Sequence, residues 1–244
     1  MLRGEGQSCS TVAVSDCSDC GAPLRITPGL PVADCGYCGR RIAIESDRGG
    51  ALIALADFSG PTTTGWKAWA ADPGEVVRNE PGPPPCYFVA LPAKPAGVGL
   101  MRLDGTFDDL DMTVGIQFGA GASTEASFAF RFRARRESDG HHDGYAAKLY
   151  TDGYTGIEWR NGKSHGGWLA KIVKATGPWD PAAPHSFRVL AVGSKMRLYL
   201  DGALVGSFDD SRFGLGHIYT TLSGGPEPIE GRIFYLEARE GRLR

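Results

Sequence analysis

The sequence predicts an all-β protein: a two-sheet antiparallel sandwich preceded by a small cysteine-rich segment. Stretches of alternating apolar and polar residues recur about every eight to twelve residues, as a sandwich requires. The 35 glycines and 16 prolines suit many tight turns, and no segment has helical periodicity over ten or more residues. We expect a flexible N-terminus over 1–14, a metal-binding segment over 15–46 and the sandwich over 51–244.

The N-terminal segment carries the pattern C-x2-C-x14-C-x2-C, formed by Cys17, Cys20, Cys35 and Cys38. Two residues between the cysteines of a pair let both sulfurs approach one ion, and glycine follows each pair. Alternating apolar residues after each pair predict short strands, with Leu24 and Ile26 able to pair with Ile42 and Ile44. The segment resembles a zinc ribbon, which implies one structural zinc ion held by four thiolates. Two disulfides or an iron–sulfur centre are the alternatives.

The sandwich strands are identified by alternation and by the turns between them. In "ASFAFRFRARR" three phenylalanines lie on one face and Arg131, Arg133 and Arg135 on the other. The next strands are "DGYAAKLYTDG" and "YTGIEWRNG", and turns at Gly193-Ser194 and Asp201-Gly202 divide "HSFRVLAVGSKMRLYLDGALVGSFDD" into three more. The last two strands are expected in "LGHIYTTLSGG" and "GRIFYLEAR".

Residues 51–244 resemble the concanavalin A-like lectin/glucanase domains. The resemblance is carried by a strand ending in Asp-Gly, a return strand, an acidic turn and Phe-x-x-Gly, with the matching residues Gly193, Tyr199, Asp201, Gly202, Asp209, Phe213 and Gly216. It implies a two-sheet jelly-roll sandwich in which sugars lie on a polar concave sheet. A calcium ion is common in this superfamily, and Asp57 in "ALADFSG" is the position that we would test.

The sequence does not predict an enzyme. Glucanases of the resembled fold carry Glu-x-Asp-x-x-Glu on one strand, because retaining hydrolysis needs two carboxyls about 5–5.5 Å apart. Here Glu158 is the only acid on its strand, with Gly156 and Arg160 as its same-face neighbours. Asp109 and Asp111 form a weaker candidate pair in "GTFDDLDMTVGIQF". A divergent carbohydrate-active hydrolase therefore remains the alternative to a binding protein.

The predicted ligand-binding face lies opposite the hydrophobic core on adjacent strands. Tyrosine and fork-shaped arginine donors can hold hydroxyls or carboxylates, and Trp168 and Tyr154 near turns can stack on a ring. An ordinary solvent-exposed sheet face is also polar, so the alternative is a surface without a binding site. A protein ligand is at least as strong a hypothesis as a glycan. The face is predicted to contain Arg131, Arg133, Lys148, Tyr150, Glu158 and Arg160.

The net charge and the absence of targeting signals in the sequence indicate which classes of partner and which compartment to expect. The net charge is -2, and residues 1–50 hold five basic against six acidic side chains, which argues against nucleic acid. The sequence shows neither a signal-peptide core nor a run of about 18 apolar residues, so we predict a cytoplasmic protein without a membrane span. The expected partner is a glycan or a protein in a larger assembly, with the zinc ribbon for docking; a purely structural scaffold is the third hypothesis.

Overall fold

The structure is a computed structural model, and the chain divides into two compact units, Met1–Ser46 and Asp47–Arg244. No helix in the described part of the chain is long and apolar enough to cross a membrane. The residues that the structure describes are 14–16, 23–25, 32–35, 38, 41–43, 51–56, 58, 65–68, 76–80, 85–93, 97–119, 125–136, 142–161, 165–172, 179–224 and 226–242.

The first unit contains two short antiparallel hairpins. Strand β1 (Val14–Asp16) pairs with β2 (Pro23–Arg25), and β3 (Val32–Asp34) pairs with β4 (Arg41–Ala43). Strands do follow each cysteine pair, as predicted. Each of the two strands pairs with the strand that precedes it in the chain, whereas the alternation had suggested that the two could pair with each other.

The second unit is built from strands β5 to β19. Those of its first half are β5 (Leu52–Ala56), β6 (Trp66–Ala68), β7 (Val76–Glu80), β8 (Cys86–Leu91), β9 (Gly97–Phe107), β10 (Leu110–Phe118) and β11 (Ser127–Arg136). Those of its second half are β12 (His142–Tyr150), β13 (Thr155–Asn161), β14 (His165–Ile172), β15 (His185–Val192), β16 (Lys195–Leu200), β17 (Ala203–Asp209), β18 (Gly216–Ser223) and β19 (Ile229–Glu240).

The strands form two antiparallel sheets, which confirms the predicted all-β sandwich. One sheet has seven strands in the order β14-β13-β12-β11-β18-β9-β6. The other has eight, in the order β17-β16-β15-β10-β19-β8-β7, with β5 also pairing with β19. Strands β8 and β5 pair with successive parts of β19, at Ile229–Ile233 and Leu236–Arg239 respectively.

The core lies between the inner faces of the two sheets. Phe128, Phe130 and Phe132 are all buried in it, as their alternation along β11 predicts. Phe130 stacks on Phe187 of β15, with 6.1 Å between the ring centroids, so side chains of the two sheets meet directly. Because these inward positions belong to the core, the intervening residues of the same strands lie on the outer face.

Candidate functional site

One row of residues crosses the outer face of the seven-stranded sheet from edge to edge. Each member is paired in register with its neighbours on the adjacent strands. In order from β14 to β6 the row is Trp168, Glu158, Ala146, Arg131, Tyr219, Arg102 and Lys67. The next row is Gly156, Lys148, Ala129, Thr221 and Gly99. The face therefore combines charged and aromatic side chains with small ones.

Glu158 is held between two cations. Its Oε2 forms an ion pair with Lys148 on the neighbouring strand, and its Oε1 lies 3.0 Å from the Nε of Arg160. Burial alone would raise the pKa of the Glu158 carboxyl, but the hydrogen bond and charge of Lys148 and the charge of Arg160 outweigh it. The pKa therefore lies below its ordinary value and the carboxyl is ionised at neutral pH.

An aromatic pair stands beside this ion cluster. The ring of Trp168 is 39% exposed, and the ring of Tyr150 is tilted against it at a centroid distance of 6.2 Å. The Nζ of Lys148 lies 5.5 Å from the Trp168 ring centroid, within cation–π range. Lys148 thus joins the carboxylate of Glu158 to the aromatic pair, and Trp168 is in part exposed to solvent.

The structure brings five of the six predicted ligand-face residues together. They share the outer face of strands β11, β12 and β13, at the positions described above: Arg131, Lys148, Tyr150, Glu158 and Arg160. Whether they bind a ligand stays a prediction.

The placement of Arg133 on that face is wrong. A β-bulge between Arg131 and Ala134 breaks the alternation of β11, and Arg133 has a φ of 50° and only 2% exposure. Its guanidinium donates hydrogen bonds to the backbone carbonyls of Asp108, at 3.0 Å, and Phe213, at 3.2 Å. Arg133 therefore anchors two loops and is withdrawn from the ligand face.

Three members of the long row were not predicted: Tyr219, Arg102 and Lys67. Alternation identifies the strand of Tyr219, but the pairing of β18 with β9 and of β9 with β6 joins distant parts of the chain. Lys67 forms an ion pair with Asp104 at the edge of the sheet. A stretch of alternating residues indicates which face a side chain takes but not which strand lies beside it.

Asp109 and Asp111, the second candidate for a catalytic carboxylate pair, both bind structural partners. Asp111 is on β10, and Asp109 lies just before it. Asp111 accepts two hydrogen bonds of 2.6 Å from the guanidinium of Arg188 on the eight-stranded sheet. Asp109 accepts a 2.7 Å hydrogen bond from the backbone amide of Gly193. The two carboxylates therefore bind different neighbours, and each holds a part of the eight-stranded sheet.

The predicted metal ligands are only partly within the described residues. Cys35 is buried and Cys38 exposed, both in the connection between β3 and β4, whereas Cys17, Cys20 and the calcium candidate Asp57 lie outside the described residues. In the sequence, Cys17 and Cys20 fall between β1 and β2, as Cys35 and Cys38 fall between β3 and β4. Among the described residues no three potential ligands cluster around a metal position. Zinc and calcium stay predictions.

Comparison with solved structures identifies the class of the sandwich. The carbohydrate recognition domain of Emp46p in its potassium-bound form is 14% identical, with 78% of this chain and 98% of that chain covered and a TM-score of 0.56. The corresponding domain of Emp47p is 16% identical, covering 81% and 100%, with a TM-score of 0.54. The Bacillus licheniformis β-glucanase is 13% identical, covering 79% and 99%, with a TM-score of 0.54.

These likenesses show the fold alone. The second unit is an all-β two-sheet antiparallel sandwich whose fold matches the jelly-roll fold of these lectin and glucanase domains, as the sequence resemblance implied. No protein-family model matches the chain, and no curated protein matches its sequence. The fold includes both binding domains and hydrolases, so function has to be argued from the residues of the site.

Proposed function

We propose that the sandwich is a non-catalytic carbohydrate-binding domain whose ligand lies on the outer face of the seven-stranded sheet. The observation that carries the proposal is the exposed indole of Trp168 beside Tyr150 and the ion cluster of Lys148, Glu158 and Arg160. Sugar rings present apolar C–H faces and a rim of hydroxyls, and this site offers an aromatic plane next to charged hydrogen-bonding groups. The carbohydrate recognition domains of Emp46p and Emp47p share the fold and support the choice of ligand class.

The surroundings of Glu158 argue for binding rather than hydrolysis. A retaining glycosidase needs a second carboxyl about 5–5.5 Å away and a general acid with a raised pKa. The same-face neighbours on β13 are Gly156 and Arg160, and the cross-strand partners are Ala146 and Trp168, so none of these four positions supplies a carboxyl. The pKa of Glu158 is lowered rather than raised, and its two oxygens are occupied by cations.

The N-terminal unit fits a docking role. Each Cys-x-x-Cys pair lies between the two strands of a hairpin in the sequence, and in this proposal Cys17, Cys20, Cys35 and Cys38 hold one zinc ion. Four thiolates leave no open coordination position, so such an ion would supply rigidity and no chemistry. In this proposal the ribbon attaches the protein to a larger cytoplasmic assembly while the sandwich binds its glycan.

The test is a glycan array of neutral and acidic oligosaccharides, followed by calorimetry on the glycans that bind. Trp168→Ala is expected to weaken binding at least tenfold, because it removes the exposed aromatic plane. Leu204→Ala is the matched control, since Leu204 is also an exposed apolar side chain, at 56%, but lies on the eight-stranded sheet. Incubation with each bound glycan is expected to release no reducing ends.

Each other outcome contradicts a defined part of the proposal. Equal loss of affinity in Trp168→Ala and Leu204→Ala would place the ligand elsewhere. Release of reducing ends that disappears in Glu158→Gln would make the protein a hydrolase. An array without any bound glycan, together with one stoichiometric protein in affinity purification, would favour the scaffold hypothesis.

A further inference from the structure

We propose that the glycan is acidic, a carboxylate-bearing polysaccharide whose uronate groups are bound by Arg131 and Arg102. The inference rests on the proposed function and adds the chemical class of the ligand. It is carried by the distribution of charge over the outer face and by the order of residues in the long row.

The described side chains of these two rows are mostly basic although the chain as a whole is not. Among the described side chains of the two rows and their ion-pair partners, five are basic and two acidic, giving a local charge of +3 in a chain whose net charge is -2. The basic ones are Lys67, Arg102, Arg131, Lys148 and Arg160, and the acidic ones are Asp104 and Glu158. A local excess of one sign attracts ligands of the opposite sign.

The two carboxylates are already occupied by lysines. Asp104 forms an ion pair with Lys67, and Glu158 forms one with Lys148. The remaining basic side chains are Arg102 and Arg131 in the row and Arg160, which also contacts Glu158. Arg131 and Arg102 flank Tyr219 in register, so their Cα atoms are two strand spacings apart, about 9.6 Å. Planar guanidinium groups bind carboxylates with two parallel hydrogen bonds.

Two members in the middle of the row are buried, and the row has exposed side chains towards both ends. Ala146 is 3% exposed and Tyr219 is 4% exposed, whereas Trp168 at one end and Arg102 towards the other are exposed. Thr221, in the adjacent row, is 8% exposed, and its hydroxyl makes no hydrogen bond to the part of the protein that the structure describes.

An extended chain that crosses the strands along this row would meet the indole of Trp168 and then the two arginines. In an acidic polysaccharide, one sugar ring can stack on the indole while carboxylates of sugars further along the chain contact the arginines. Nucleic acid is the other common polyanion, but its binding surfaces carry a basic excess over more of the protein than this one face. The geometry therefore favours a polyuronate, and nucleic acid becomes an outcome of the test.

The experiment compares polygalacturonate, alginate and hyaluronan with the same three polymers after esterification of their carboxylates. Calorimetry on the full chain is expected to give at least tenfold tighter binding of one or more acidic forms than of the esterified partner. That affinity should fall as salt is raised. Arg102→Gln and Arg131→Gln should each weaken acidic binding about tenfold. Arg197→Gln, on β16 of the other sheet, is the control and should bind normally.

The outcomes separate this inference from the proposed function. Equal binding of acidic and esterified forms, or binding of neutral array glycans alone, would overturn the acidic ligand and leave carbohydrate binding intact. Absence of binding to every polymer and every array glycan would overturn both. Binding of single-stranded DNA at least as tight as that of the acidic polymers, lost in Arg102→Gln, would replace the polyuronate with nucleic acid.

Discussion

His185, at the start of β15, has a hydrogen-bonding environment that only the charged imidazole satisfies. Its Nδ1 lies 2.9 Å from the Oδ2 of Asp201, and its Nε2 lies 2.7 Å from the backbone carbonyl of Asp180. Both partners are acceptors, whereas a neutral imidazole has only one N–H to donate. The ring of Trp179 stacks on the imidazole at 3.8 Å. Asp180 and Asp201 are thus the charged groups that face His185.

This environment makes stability depend on pH. Burial alone would lower the pKa of His185, but the hydrogen bonds and charges of Asp201 and Asp180 outweigh it, so the folded-state pKa lies above 6.5. The stabilisation is complete below the unfolded-state pKa of about 6.5 and is lost as pH rises through the folded-state value. Urea unfolding between about pH 5.5 and 8.5 should therefore show the free energy of unfolding falling with pH.

His185→Gln should remove most of that fall, because glutamine has no charge to lose. His217→Gln is the substitution control, since it makes the same change of side chain at a ring that is hydrogen-bonded to the carbonyl of Gly105 and lies on the other sheet. An unchanged slope in His185→Gln would contradict the assignment.

Residues of β11 show which side-chain positions could be predicted from the sequence and which could not. Alternation placed Phe128, Phe130 and Phe132 correctly in the core, because each step along a regular strand reverses the face. The same rule misplaced Arg133, because the bulge adds a residue that the pattern does not reveal. Its buried guanidinium is satisfied by carbonyls of Asp108 and Phe213, which are distant in sequence. Contacts of this kind depend on tertiary structure and leave no local signal.

At the scale of elements, the bulge in β11 is accommodated by glycines on both neighbouring strands. Gly144 on β12 has a φ of 134°, and a Cβ there would lie 2.9 Å from the carbonyl oxygen of Arg133. A Cβ on Gly216 of β18 would lie 2.6 Å from the Cα of Arg133 and 2.5 Å from the amide nitrogen of Ala134. The three strands can approach at this point only because two of them lack side chains there.

Gly216→Ala should therefore destabilise the sandwich by about 2–3 kcal/mol, since the obstacle is backbone that cannot rotate away. Gly214→Ala is the control two residues earlier, where a Cβ would meet no atom within 4 Å, and it should change stability by less than about 0.5 kcal/mol. Both values come from the urea midpoint at constant m-value. Equal stability of the two variants would show that the bulge can relax.

The sequence patterns predicted only part of the order of strands in the sheets. The turns at Gly193-Ser194 and Asp201-Gly202 predicted the pairing of β15, β16 and β17, since short turns make consecutive strands neighbours. The pairing of β11 with β18 has no such signal, because long stretches of chain separate the two strands. The same reason explains why the candidate site was predicted only in part. Arg131 on β11 was predicted as a site residue, but its neighbour Tyr219 on β18 was not.

At the scale of the whole molecule, the chain combines two units of different construction. The sandwich is stabilised by a large core of buried aromatic and aliphatic side chains between two sheets. The first unit has about 46 residues and four three-residue strands within its described part. Segments of this size rarely build a sufficient core and usually need disulfides or a metal ion. The four-cysteine pattern is the feature of this unit that can supply such a link.

We therefore predict about one zinc ion per chain in protein purified without chelator, measured by elemental analysis. Cys38→Ser should lower the zinc content below about half, because it removes one of four thiolates in the proposed tetrahedral site. Cys86→Ser is the control: Cys86 is buried in β8 of the sandwich, so its replacement should leave the zinc content unchanged. Iron in place of zinc would indicate an iron–sulfur centre. Metal-free protein with four fewer titratable thiols than its six cysteines allow would indicate two disulfides instead.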